Sequence, residues 1–162
     1  MLSLSAQKID LICVGGVGES FIQFLESDIS KRVQFNTQIL NSSDGKSEKI
    51  VLESNNYATS IFCLVGASST INILKIKSIF DHNPTLWQRT HFILVHPFNF
   101  EGEERAKTAK DFSEFVSSQG SKKTDFRNQD LFKYIDKNAK FEDGFEIMNQ
   151  GILSEIKPKE DY

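Results

Sequence analysis

His96-Pro97-Phe98-Asn99-Phe100-Glu101-Gly102-Glu103-Glu104-Arg105 closes an apolar run, His91 to Val95, and opens an amphipathic helix. A continuous apolar run that ends in a turn suits a strand buried on both faces. In an open α/β sheet, ligands bind at the carboxyl ends of such strands. The segment therefore bears on the fold class and on a candidate site at once.

Two more runs of the same kind stand upstream. Ile9 to Val14 ends at Gly15-Gly16-Val17-Gly18, and Ile61 to Val65 ends at Gly66. Each is followed by helical spacing: Phe21, Ile22, Leu25 and Ile29 behind the first, and Ile73, Ile76, Ile79 and Phe80 behind the second, up to a stop at Asn83-Pro84. Glu19 is expected in the first turn of its helix, where a carboxylate favours the dipole. Ala106, Ala109, Phe112 and Val116 mark the stripe of the helix behind the opening segment, with Gly120 as its C-cap. Val33 to Asn36 reads as a strand before a polar loop, Asn41 to Ser47, and Glu48 to Leu52 as a short edge strand that can return antiparallel. Thr124 to Arg127 reads as the other edge strand and Gln129 to Asp136 as a short helix. Phe141, Phe145, Met148, Ile152 and Ile156 form one stripe of a helix of about four turns. Strands alternating with helices in this way predict an α/β fold with a mostly parallel sheet.

The chain has 162 residues, 39% of them apolar, with 14 Phe, which suits a single domain around one filled core. A net charge of −3 and a pI near 5.6 give no basic field for nucleic acid. No apolar stretch reaches the length of a membrane span and Met1-Leu2-Ser3-Leu4 lacks the layout of a secretion signal, so a cytoplasmic protein is expected. Cys13 and Cys63 lie inside apolar runs and are expected to be reduced and buried. His82, His91 and His96 show no ligand spacing with any Cys or carboxylate, and no metal is assigned.

The glycine turn admits two readings. Its amides can point at an anion that a helix N-terminus favours, or it is a tight turn with no ligand. It lacks the Lys-Ser/Thr pair of a Walker A loop, and the third glycine of a dinucleotide fingerprint falls on Phe21. Asn36-Thr37 stands where an NAD site would carry an acid. Glu19 would repel phosphate at the mouth of such a cradle unless a cation intervened.

Taken together, the glycine turn, the Pro97-Phe98-Asn99-Phe100-Glu101-Gly102 run with Arg105, and Asn128 at its spacing resemble the nucleotide-binding half of FtsZ, the bacterial tubulin-like division GTPase. The resemblance spans roughly Ile9 to Ile156. It implies a three-layer Rossmann-like sheet in strand order 3-2-1-4-5-6. It also implies one domain over residues 1–156 that includes a central helix at 141–156, a charged tail at 157–162 and no second domain. Gly15, Gly16 and Gly18 would face the phosphates, Glu101 and Asn128 would contact the nucleotide sugar, and Arg105 would pack on the base.

The same resemblance exposes departures. Where the family has a glycine-rich phosphate loop, the chain has Gly66-Ala67-Ser68-Ser69-Thr70-Ile71-Asn72, whose side chains occupy space that backbone should yield to phosphate. Ser68, Ser69 and Thr70 are expected to cap the next helix instead. Gln38, Gln129 and Gln150 stand where the family has acids, and a neutral amide binds a base more weakly than a carboxylate. No catalytic residue is assigned, and no cofactor beyond weakly held GTP or GDP. Residues 53–60 are too few for the family's crossover helix, which predicts a bare apolar face beside Ile9 to Val14 and a second copy, or an FtsZ-like division protein, to cover it. The leading expectation is a non-catalytic FtsZ-like interaction or self-assembly module. A weak guanine-nucleotide-binding protein is the alternative, and a generic Rossmann-type enzyme is the third.

Overall fold

The computed structural model describes residues 9–27, 35–40, 61–133 and 141–156. Chain order is β1 (Ile9–Val14), α1 (Gly15–Glu26), β2 (Phe35–Leu40), β3 (Ile61–Gly66), α2 (Thr70–Asp81), α3 (Thr85–Arg89), β4 (Thr90–His96), α4 (Glu103–Ser118), β5 (Lys122–Arg127) and α5 (Phe141–Glu155). Single 3₁₀ turns span Asn99–Glu101 and Asn128–Lys133. The strands form one sheet in the order β2-β1-β3-β4-β5, and every neighbouring pair is parallel.

Parallel strands buried on both faces need a largely apolar sequence, which β1, β3 and β4 supply apart from the buried Asp10, Thr90 and His96. All six residues of β1 are buried. The two faces divide the core. Ile12, Val14, Cys63, Val65, Phe92 and Leu94 pack with residues of α2, α3 and α4. Leu11, Cys13, Leu64, Ile93 and Val95 pack with residues of α1 and α5 on the other side. The result is a three-layer α/β sandwich, as expected from the alternation of strand and helix patterns.

Cys13 and Cys63 sit on adjacent strands but on opposite faces, so they are separate buried thiols rather than a pair. Burial raises the Cys13 thiol from its ordinary value to about 12 and pushes Cys63 up as well. Trp87 closes the α2 side of the core, with its ring 4.8 Å from Phe80, 5.7 Å from Phe92 and 5.5 Å from Phe115.

Several boundaries differ from the sequence reading. β2 covers Phe35–Leu40 rather than Val33 to Asn36, because pairing from Ile9↔Phe35 to Val14↔Leu40 uses the whole length of β1. α1 begins at Gly15, which puts Glu19 past its first turn. α3 has no counterpart in the periodicity, being five residues long. Pro84, already at φ −60°, sits at its N-cap and sets the turn. The short helix expected over Gln129 to Asp136 is a 3₁₀ helix at Asn128–Lys133, with residues 134–136 outside the described residues. The expected exposure of β1 is not found, since α1 and α5 cover one of its faces and α2 the other. The expected edge strand at 48–52, the missing helix at 53–60 and the tail at 157–162 lie outside the described residues.

Candidate functional site

Parallel strands deliver their carboxyl ends to one edge, where Val14 stands opposite Val65, Gly66 opposite Val95 and His96 opposite Arg127. The connection from β2 to β3 crosses over β1, so the strand order reverses between β1 and β3 at this edge. Such a reversal opens a crevice. Beside it lies a cavity of about 340 Å³. Gly16, Val17 and Ser20 of α1 form one wall, Val95 the floor, and Asn128 and Phe145 line it from the β5 and α5 sides, together with Met148 and Asn149.

Each wall follows from local structure. Gly15 takes φ +75°, a left-handed value that favours glycine and lets the chain turn from β1 directly into α1. At Gly18 an added Cβ would come within 2.6 Å of Cys13 Cβ, so this glycine lets the helix lie close on its own strand. Gly16 meets nothing within 4 Å, leaving its backbone open at the cavity. Asn128 Oδ1 is buried without a hydrogen-bond partner among the described residues. That orphan acceptor suits a donor on a ligand, since an unpaired buried oxygen is costly. Among the described residues the lining carries no titratable side chain.

The side of the edge between Gly15 and the start of α2 is differently furnished. Ser69 Oγ accepts from the Asn72 N–H at 3.4 Å and caps α2, as the sequence suggested. The Asn72 side chain then fills the space above Gly15, with its Nδ2 2.4 Å from where a Cβ would stand. Asn72 is 8% exposed and its Oδ1 has no partner.

Glu101 and Arg105 do not line the cavity. Glu101 Oε2 accepts from the Phe98 N–H at 2.7 Å, which closes the 3₁₀ turn, and its Oε1 accepts from Arg105 Nη1 at 3.2 Å. Gly102, at φ 104°, lets α4 start immediately after this turn. Gln129 Oε1 accepts from the Asn99 N–H at 3.0 Å and ties the same turn to the segment after β5. Of the six residues expected in a site, Gly16 and Asn128 reach the cavity, Gly15 and Gly18 shape the turn behind it, and Glu101 and Arg105 pair with each other. Sequence reasoning missed Phe145 and Asn149 as wall residues: Phe145 belongs to a stripe that reads equally well as core, and Asn149 stands beside that stripe, one residue past Met148. Phe145 meets Phe98 edge to face at 6.5 Å between centroids, and Phe98 stacks on Phe100 at 4.9 Å.

The three histidines serve three separate places. His82 bonds the Ser78 carbonyl at 2.6 Å, and His91 bonds Thr124 Oγ1 at 2.7 Å, with burial lowering its pKa. His96 Nε2 meets Asp125 Oδ1 at 2.6 Å on the α4 face of the sheet. Ser113 Oγ donates to the same oxygen at 3.0 Å, and Lys123 Nζ stands 3.5 Å from Oδ2 and bonds Ser113. Burial alone would raise the Asp125 carboxyl, but the bonds from His96 and Ser113 and the Lys123 charge outweigh it and hold the carboxyl below its ordinary range. No three or more His, Cys, Asp and Glu gather as a metal site among the described residues. Nor is any described helix long and apolar enough to cross a membrane.

No family model matches the sequence, and no curated protein matches it. Among solved structures, an empty FtsZ dimer from M. jannaschii is similar, with a TM-score of 0.60 and 15% identity over 98% of this chain. The chain spans 57% of that structure's length. At this identity the likeness is one of fold alone.

Proposed function

We propose that this chain is an FtsZ-like, non-catalytic module that associates with itself or with an FtsZ-like division protein in the cytoplasm. Residues 1–156 form its working unit. The observation that carries the reading is the cavity lining, which among the described residues has apolar and neutral polar side chains and no acid or base. Nothing there would activate water or balance a triphosphate. Asn72 over Gly15 adds to this, since it stands where phosphate would pass. Self-association draws support from the dimeric state named for the similar FtsZ structure and from apolar side chains exposed here. Phe100 is 73% exposed beside the cavity, and Ile71 and Leu74 are 65% and 60% exposed on α2. Sedimentation equilibrium across micromolar concentrations tests association, and phosphate release from GTP tests catalysis. The expected result is a reversible dimer or larger species with no turnover. A monomer throughout, or GTP turnover by the purified chain, overturns the reading.

A second reading, weak binding of a guanine nucleotide, is favoured by one feature. The unpartnered Asn128 Oδ1, the Asn149 amide and the Phe145 ring together suit the base and sugar of a nucleoside. Calorimetric titration with guanosine and with GTP, each with and without Mg²⁺, separates the two readings. Equal, weak affinity for both ligands means that only the nucleoside end is held. GTP binding much tighter than guanosine, strengthened by Mg²⁺, means a working phosphate site.

A further inference from the structure

The sheet carries a second depression at the same edge but on its opposite face, between α4 and β5. It is a groove of about 420 Å³, large enough for a small metabolite and too large for a bare inorganic ion. Its walls are charged and polar. Lys110 comes from α4, Arg127 from the end of β5, and His96 and Asn99 from the segment that leaves β4.

The charges in this groove are unevenly spent. Asp125 is held by His96, Ser113 and Lys123, so its negative charge is compensated inside the protein. Glu114 also lines the groove and is the one carboxylate there with no hydrogen bond or ion pair among the described residues, since Lys107 on the same helix is bonded to Asp111. Lys110 and Arg127 have no hydrogen bond or ion pair among the described residues, and His96 has a partner on Nε2 alone. Two unpaired cations from two different elements therefore face one concavity. A guanidinium fork matches carboxylate and phosphate oxygens in pairs, and an ammonium adds a point charge to the same anion.

We propose that this groove is a second ligand site, for a small metabolite carrying two or more oxyanion groups, bound by Arg127 and Lys110 with the His96 imidazole and Asn99 as further polar partners. It is separate from the neutral cavity on the other face. The two sites meet through the backbone at two places, where Val95 of the cavity precedes His96 of the groove and Arg127 of the groove precedes Asn128 of the cavity. The inference does not depend on whether that cavity holds a nucleoside.

The test is an amide NMR titration of the whole chain at fixed ionic strength with two probes in turn, citrate for polycarboxylates and glycerol 2-phosphate for phosphate monoesters. At least one probe is expected to give saturable shifts at Lys110, Lys123 and Arg127, and which probe binds tighter identifies the oxyanion. Arg127→Ala and Lys110→Ala are each expected to weaken that binding by about tenfold, the size of one lost charge-assisted hydrogen bond. Both side chains are exposed, and the amide spectrum itself reports whether each variant is folded. Shifts that fail to saturate with either probe, shifts confined to Gly16 and Asn128, or unchanged affinity in both variants would overturn the site.

Discussion

Gly16 and Gly18 stand two positions apart in one helix and are expected to respond to alanine with opposite signs. At Gly18 the new methyl meets Cys13 Cβ at 2.6 Å and Cys13 backbone atoms at 2.9 Å, and β1 cannot retreat because it is paired on both sides. Gly18→Ala is therefore expected to destabilise by about 2–3 kcal/mol, the cost of overpacking a rigid site. Gly16→Ala meets open space and is expected to stabilise by about 0.5 kcal/mol through a less flexible unfolded chain. Urea unfolding followed by the fluorescence of Trp87, the single tryptophan, checks both. Asn72 carries the claim about phosphate. Asn72→Ala opens the space over Gly15 and is expected to raise affinity for GTP relative to guanosine by about fivefold, the scale of one modest hydrogen bond; an unchanged ratio means that Asn72 is not the obstruction. At this scale the sequence was informative about backbone and less so about side chains. A glycine turn after an apolar run identifies Gly16 whatever it binds. Glu101 and Arg105 lie four residues apart with the acid first, so they satisfy each other locally, a bond that a motif match does not anticipate.

The edge strand β5 is the weakest of the elements in sequence and is held by polar contacts. Its residues, Lys122-Lys123-Thr124-Asp125-Phe126-Arg127, are exposed or half-buried throughout, unlike those of β1. Asp125 ties it to β4 through His96 and to α4 through Ser113. Because the folded carboxyl is held below its ordinary value, its contribution is fully present above the unfolded value, about 3.9, and is lost as pH falls through the depressed folded one. Asp125→Ala is expected to cost about 1.5–3 kcal/mol at pH 7, the range for hydrogen bonds to a charged group. The gap to the parent chain is expected to narrow markedly by pH 3; urea midpoints at the two pH values read the sign, and a gap that stays constant would show that the network contributes no pH-linked stability. The same contrast explains what was legible at this scale. β1, β3 and β4 announce themselves because burial on both faces demands a largely apolar run. α3 did not, since five residues carry no helical period and their place is set by Trp87 packing on Phe80 and Phe92. The wall of the cavity on α5 was hidden for a related reason, because Met148 is both a core residue and a lining one.

For the whole molecule, the consequence is that folding and ligand binding are only loosely linked. The two core layers on either side of the sheet are complete without a ligand, with Phe21, Leu11 and Ile93 on one face and Phe80, Phe92 and Leu94 on the other each under 2% exposed. A protein whose site grips a nucleotide tightly gains stability from it by mass action, about 4.1 kcal/mol when ligand stands at a thousand times its Kd. A cavity without charged groups and with its phosphate side filled by Asn72 is expected to hold a nucleoside at about millimolar Kd, which at equal ligand concentration adds only about 0.4 kcal/mol. Thermal unfolding with 1 mM guanosine and 1 mM GTP should therefore give two small and equal upward shifts in Tm, unaltered by Mg²⁺. Association behaves differently, because it buries exposed side chains such as Phe100 rather than filling the cavity. Tm is then expected to rise with protein concentration while remaining indifferent to nucleotide, and Phe100→Asp is expected to remove the concentration dependence while leaving the dilute-limit Tm close to the parent value. A large shift with GTP alone would mean that the edge of this sheet still works as a triphosphate site despite its neutral lining. A Tm independent of protein concentration would leave Phe100 exposed for some reason other than self-association.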